Sequence, residues 1–282
     1  MARTFRFTQL DVFTDTPTKG NPLAVVHDAT GLSTTEMGAF TDWTNLSEAT
    51  FLAPPTHPDA DYAVRIFCPP SRELPFAGHP TLGSAHAWLA AGGVPKGDRI
   101  IQECGVGLVA LRRDSASGRL AFAAPPLQER GPMSESDVAA IAACLGIARA
   151  AIVDHAWCVN GPEWRAVLLG TAAEVLALRP DPALLNGMDL GVVAPHPVGS
   201  GVAFEVRSFF PGNQGMAEDP VTGSLNAGLA QWLIGSGRAP ERYVAAQGTA
   251  LGRAGRIFVE RDGADTWIGG HSVAVIEGTL TL

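Results

Sequence analysis

The four cysteines of this 282-residue chain (Cys68, Cys104, Cys144, Cys158) include no Cys-x-x-Cys pair, so neither a zinc cluster nor a dithiol redox site has support. Gly-x-Ser-x-Gly, His-Glu-x-x-His and the Walker loop are absent, and Gly105-Val106-Gly107 lacks the third glycine of a dinucleotide fingerprint. No metal and no nucleotide cofactor is therefore expected. Lysine and arginine form no block, and the formal net charge is −8, which argues against nucleic acid or an anionic membrane as partner. No apolar run reaches spanning length, and the opening Met-Ala-Arg-Thr-Phe-Arg-Phe has no signal core, so the cytosol is the expected compartment.

Glycine and proline are plentiful instead, at 32 and 21 residues, and hydrophobic content is 46%. That suits many short strands and turns around ample cores. Two stretches 140 residues apart share a form: Gly78-His79-Pro80-Thr81-Leu82-Gly83-Ser84 and Glu218-Asp219-Pro220-Val221-Thr222-Gly223-Ser224. Each sets an ionisable residue before a proline, and proline favours the first helical position. The pattern predicts helices over Pro80–Ala91 and Pro220–Ile234, with His79 and Asp219 as their caps. Both segments are apolar or small on nearly every face, as a buried helix is. Upstream lie Val64-Arg65-Ile66-Phe67-Cys68-Pro69 and Val206-Arg207-Ser208-Phe209-Phe210-Pro211; downstream, glycine-broken strand signals begin at Gln102 and at Gln247. The repeated order predicts a duplicated α+β architecture, with domains over 1–125 and 126–282 divided near Pro125-Pro126.

A buried helix's N-terminus presents unpaired N–H groups and a partial positive charge, suited to a carboxylate or phosphate. His79 beside such an end is expected to be neutral, and Asp219 to be the anion. Capping accounts for each singly; their repetition favours a shared functional role. Ser224 either points to the same place or is a small residue chosen for packing. Glu48 lies between Leu46 and the apolar run Ala49–Leu52, where partial desolvation would raise its pKa towards acid/base work near neutral pH. An exposed strand-end carboxylate is the other reading.

Asn45-Leu46-Ser47-Glu48-Ala49-Thr50-Phe51, Glu73-Leu74-Pro75-Phe76-Ala77-Gly78-His79-Pro80-Thr81-Leu82-Gly83 and Glu218–Ser224, in that order, resemble the PhzF family of phenazine-biosynthesis isomerases. Asp11–Thr14 and Gly20–Val26 fit it too. The resemblance implies a diaminopimelate-epimerase-like fold, with two similar domains each wrapping a sheet around a central helix and the active site between them. It also implies a homodimer, no cofactor, and a small cyclic carboxylate substrate of the dihydro-hydroxyanthranilate type. Carried over, Glu48 is the general acid/base, His79, Asp219 and Ser224 bind and polarise the substrate, and backbone N–H groups near Gly78 and Gly223 hold its carboxylate. Two alternatives stand beside this: a cofactor-independent racemase or epimerase of the same fold, which would need a thiol at each helix start, and a non-catalytic homologue that binds small carboxylates.

Overall fold

A computed structural model describes residues 2–212 and 215–282. Its chain forms two compact units, one of 1–123 with 269–282 and one of 124–268. The first begins β1 (Thr4–Val12), β2 (Asn21–Val26), α1 (Thr34–Thr44), β3 (Ala49–Ala53), β4 (Tyr62–Cys68) and β5 (Arg72–Leu74). It continues through α2 (Gly78–Ala90), β6 (Ile100–Cys104), β7 (Gly107–Arg113) and β8 (Leu120–Ala123). The second begins β9 (Glu129–Gly131), α3 (Glu135–Leu145), β10 (Asp154–Val159), β11 (Glu163–Leu168), α4 (Ala172–Ala177) and β12 (Asp189–Pro195). It continues through β13 (Phe204–Gly212), β14 (Gly215–Glu218), α5 (Gly223–Gly235), β15 (Arg242–Gln247), β16 (Gly255–Asp262) and β17 (Asp265–Gly270), and β18 (Ser272–Thr281) ends the chain.

Pairing repeats element for element. In unit 1, β1–β2 is antiparallel, β2–β3 parallel, β3–β4 antiparallel, β4–β6 parallel and β6–β7 antiparallel. In unit 2 the same sequence of senses runs through β10–β11, β11–β12, β12–β13, β13–β15 and β15–β16. Each sheet curls around one helix. α2 packs on β1, β2, β3, β4, β6 and β8, and α5 on β10, β11 and β16.

Close packing explains the glycine in the middle of each helix. A Cβ on Gly83 would lie 2.5 Å from Leu23 Cδ2, and one on Gly228 2.8 Å from Cys158 Cβ. Helix propensity alone disfavours glycine there; close strand approach overrides it.

Two expectations need correction. The division is not 1–125 and 126–282: β18 pairs antiparallel with β1, from Thr4 opposite Thr281 to Val12 opposite Ser272, so the last segment completes the first sheet rather than the second. The helix starts also move. α2 begins at Gly78 with Ala77 as N-cap, which puts His79 inside the first turn. α5 begins at Gly223 with Thr222 as N-cap, and Asp219 stands three residues before it. Pro220 belongs to the turn because Thr222 Oγ1 donates to Asp219 Oδ2 at 2.7 Å, holding the intervening residues out of the helix. The repeat is thus in register at 145 residues: Ala77 matches Thr222, Gly78 Gly223, His79 Ser224, Gly83 Gly228 and Gln102 Gln247.

Candidate active site

In unit 1 the structure brings Glu48 and His79 together. Glu48 follows the left-handed turn at Asn45, where φ is 57°, and directly precedes β3. Its side chain is 17% exposed and that of His79 6%, with Glu48 Oε2 3.4 Å from His79 Nε2. That is ion-pair distance, but burial pushes the imidazole pKa down to about 3. Burial keeps the ring neutral, and a carboxyl group meets an uncharged imidazole. On the ring's other side Asn21 Nδ2 lies 3.5 Å from Nδ1. With this amide nitrogen donating to Nδ1, the ring proton sits on Nε2, close to Glu48 Oε2 but not hydrogen-bonded to it.

Unit 2 positions a different set. Asp219 Oδ2 accepts the Thr222 hydroxyl, and Ser208 Oγ is 2.7 Å from the same Thr222 oxygen. Gln247, fully buried on β15, ties the cluster: its Nε2 donates to Thr222 Oγ1 (2.9 Å) and the Asp219 carbonyl (3.2 Å), and its Oε1 accepts from Thr222 N–H (3.1 Å) and Asn226 Nδ2 (2.8 Å). Ser224 is held by others. Trp164 Nε1 donates to its Oγ at 3.0 Å and Asn160 Nδ2 to its carbonyl at 2.8 Å. Because an indole only donates, the Ser224 hydroxyl proton is left to point elsewhere.

Neither N-cap supplies a capping side chain, so first-turn N–H groups, those of Gly78 and Gly223 among them, remain available to an anion. Glu218, within the motif, does structural work: Arg207 Nε and Nη2 grip its two oxygens at 2.8 and 2.7 Å while Nη1 donates to the carbonyls of Val175 and Leu178. Charge-assisted bonds on every side make this pair tolerable in the interior.

Sequence reasoning missed Asn21, Trp164, Thr222 and Gln247. For Gln247 a signal existed, since Gln102 stands 145 residues earlier and plays a like part: Tyr62 OH donates to its Oε1 at 2.9 Å and its Nε2 donates to Thr81 Oγ1 at 3.1 Å. Asn21 and Trp164 lie 58 and 60 residues from the groups they touch, and nothing local marks them.

The profile of a family described as phenazine biosynthesis-like protein (PhzC-PhzF) matches residues 10–278. The antisense-enhancing sequence 1 protein of Schizosaccharomyces pombe is 35% identical, covering 96% of this chain and 97% of its own. The trans-2,3-dihydro-3-hydroxyanthranilate isomerase of Pseudomonas aeruginosa is 34% identical over 98% of this chain and 99% of its own. Among solved structures, a PhzF-family phenazine biosynthesis protein of Bacillus anthracis superposes with a TM-score of 0.84 at 20% identity, covering 99% of both chains; at that identity the likeness concerns the fold alone. The fold is α+β and diaminopimelate-epimerase-like, shared with a solved hydroxyproline epimerase.

Proposed function

Because the chain belongs to the PhzC-PhzF family and its homologues include named isomerases, we propose that it is an isomerase moving a proton on a small cyclic carboxylate of the dihydro-hydroxyanthranilate type. The observation that carries this is the pairing of buried His79 with half-buried Glu48, 3.4 Å apart at the uncapped start of α2. In the ionised form, Glu48 takes a proton from a ring carbon, becomes a carboxylic acid, and returns the proton to another carbon of the same conjugated system. No electrons leave or enter, and the base is regenerated. His79 Nε2–H steadies the carboxylate, and then the substrate oxygen on which charge grows. Asp219 and Ser224 are assigned substrate binding, and the N–H groups of Gly78 and Gly223 the substrate carboxylate. A homodimer in the cytosol belongs to the same reading.

A racemase of the same fold is disfavoured by the N-cap residues themselves. Ala77 and Thr222 occupy the positions where thiols would be needed. All four cysteines are free, and burial raises the pKa of each, that of Cys158 to about 12, away from the thiolate such chemistry uses.

The test is NMR in D₂O with trans-2,3-dihydro-3-hydroxyanthranilate and either wild type or Glu48→Gln. Isomerisation with deuterium uptake by the wild type, lost by on the order of 10³-fold or more in the variant, is expected. Equal rates would remove Glu48 from the role; no turnover by either protein would remove this substrate.

A further inference from the structure

Unit 1 contains a second feature, a cavity of about 440 Å³ at the C-terminal end of α2. His86 of α2, Arg113 at the end of β7, Ser117 in the turn before β8, and His271-Ser272 leading into β18 line it. Two of these, His86 and Arg113, offer donors to the cavity. His86 and Arg113 form no hydrogen bond or ion pair among the described residues, and Ser272 Oγ is buried with no hydrogen-bond partner there. A concave site lined by two unengaged donors, a guanidinium and an imidazole, suits a polar ligand.

The sign of that ligand follows from the lining. Arg113 is permanently charged, and it lies near enough to His86 to lower that ring's pKa in addition to burial. No carboxylate lines the cavity. The carbonyls at a helix C-terminus would repel an anion, but here they are occupied. Ala91 N–H donates to the Ala87 carbonyl, Gly92 N–H to Leu89 and Gly93 N–H to Trp88, a closure made possible by Gly92 at φ 97°.

The repeat supplies an internal contrast. At the matching place in unit 2, Gln231 and Arg261 line a cavity of about 850 Å³, where Trp157, Trp232 and the carboxylate of Asp265 also take part. Arginine recurs; the imidazoles and the freedom from acid occur in unit 1.

We propose that the unit 1 cavity binds a small oxyanion of the phosphate class, gripped by the Arg113 guanidinium and the His86 imidazole. Inorganic phosphate and the phosphoryl group of a small monoester share this chemistry. The full chain is titrated with inorganic phosphate and, separately, with glycerol phosphate, following the His86 ring signals by NMR and the heat by calorimetry. Saturable binding that moves the His86 signals is expected in at least one arm, and which arm identifies the source. Arg113→Ala weakens it on the order of 10- to 100-fold, as loss of a charge-assisted bond does; Arg261→Ala leaves it unchanged. Arg113 is exposed, so its truncation leaves the fold intact. If neither ligand moves the His86 signals into the millimolar range, or Arg113→Ala binds as tightly as wild type, the proposal fails.

Discussion

The starts of α2 and α5 are one frame carrying two chemistries. Both helices open on glycine without a capping side chain, both carry a mid-helix glycine against a strand, and each is braced by a buried glutamine 145 residues from its counterpart. The position after the opening glycine then differs: His79, neutral beside Glu48, in one; Ser224, oriented by Trp164, in the other. The backbone features that create a helix end able to receive an anion survive in both copies, and the proposed proton-handling group is present in one. Duplication preserved the cradle and freed the side chains to diverge.

Substitutions at the two starts test this contrast most severely. Beyond the loss expected for Glu48→Gln, His79→Ala and Asp219→Ala should each lower turnover by on the order of 10²-fold or more in the same assay. Asp219→Ala should also remove one of the three partners of the Thr222 hydroxyl and shift the amide signals of the turn before α5, whereas His79→Ala should leave unit 2 unchanged by amide NMR. Comparable rates for either variant and wild type would mean the contrast has no catalytic content.

The braces come next. Gln247→Ala removes bonds to Thr222, Asn226, Ser208 and the Asp219 carbonyl, leaving several buried polar groups unsatisfied at a cost of about 3 kcal/mol. Gln102→Ala strands the fully buried Tyr62 hydroxyl and Thr81, at about 2 kcal/mol. Chemical denaturation followed by unit-specific probes should place the larger loss in unit 2; the reverse order would show that the two glutamines are not equivalent supports.

The smallest effect concerns protons. His79 has a pKa of about 3 in the fold against an ordinary 6.5, so the unfolded chain binds this proton first as pH falls. Its burial in neutral form contributes stability that is present above pH 6.5 and is lost as pH drops towards 3. A ring titration by NMR should show no His79 transition near 6.5, and a midpoint there would place a charged imidazole beside Glu48 instead.

Local signals in the sequence carried far. Ser33 and Glu36 form the capping box that their spacing announces, and Ser134 caps α3. His79, Asp219 and Ser224 stand out because they sit in repeated motifs, and Glu48 because it adjoins the apolar run Ala49–Leu52. What was not legible depends on distance along the chain. A proline after Asp219 resembles a helix start, and only the Thr222–Asp219 hydrogen bond reveals a turn. Gln247 reaches back 25 residues to Thr222 and Asn21 forward 58 to His79, with no periodicity to betray either. Likewise β18 has an ordinary strand pattern, and pairing with β1 across nearly the whole chain leaves no mark on it.

That last pairing sets an order of assembly. During synthesis the edge of β1 that β18 covers stays open until the whole of unit 2 has been made, whereas unit 2 is contiguous and needs nothing that follows it. Closing so long a loop is slow, and an uncovered edge strand is a template for the wrong neighbour. A chain halted before Ser272 should therefore hold a native second unit and a first unit prone to self-association, a vulnerability that belongs to the ribosome and the chaperone rather than to the finished enzyme.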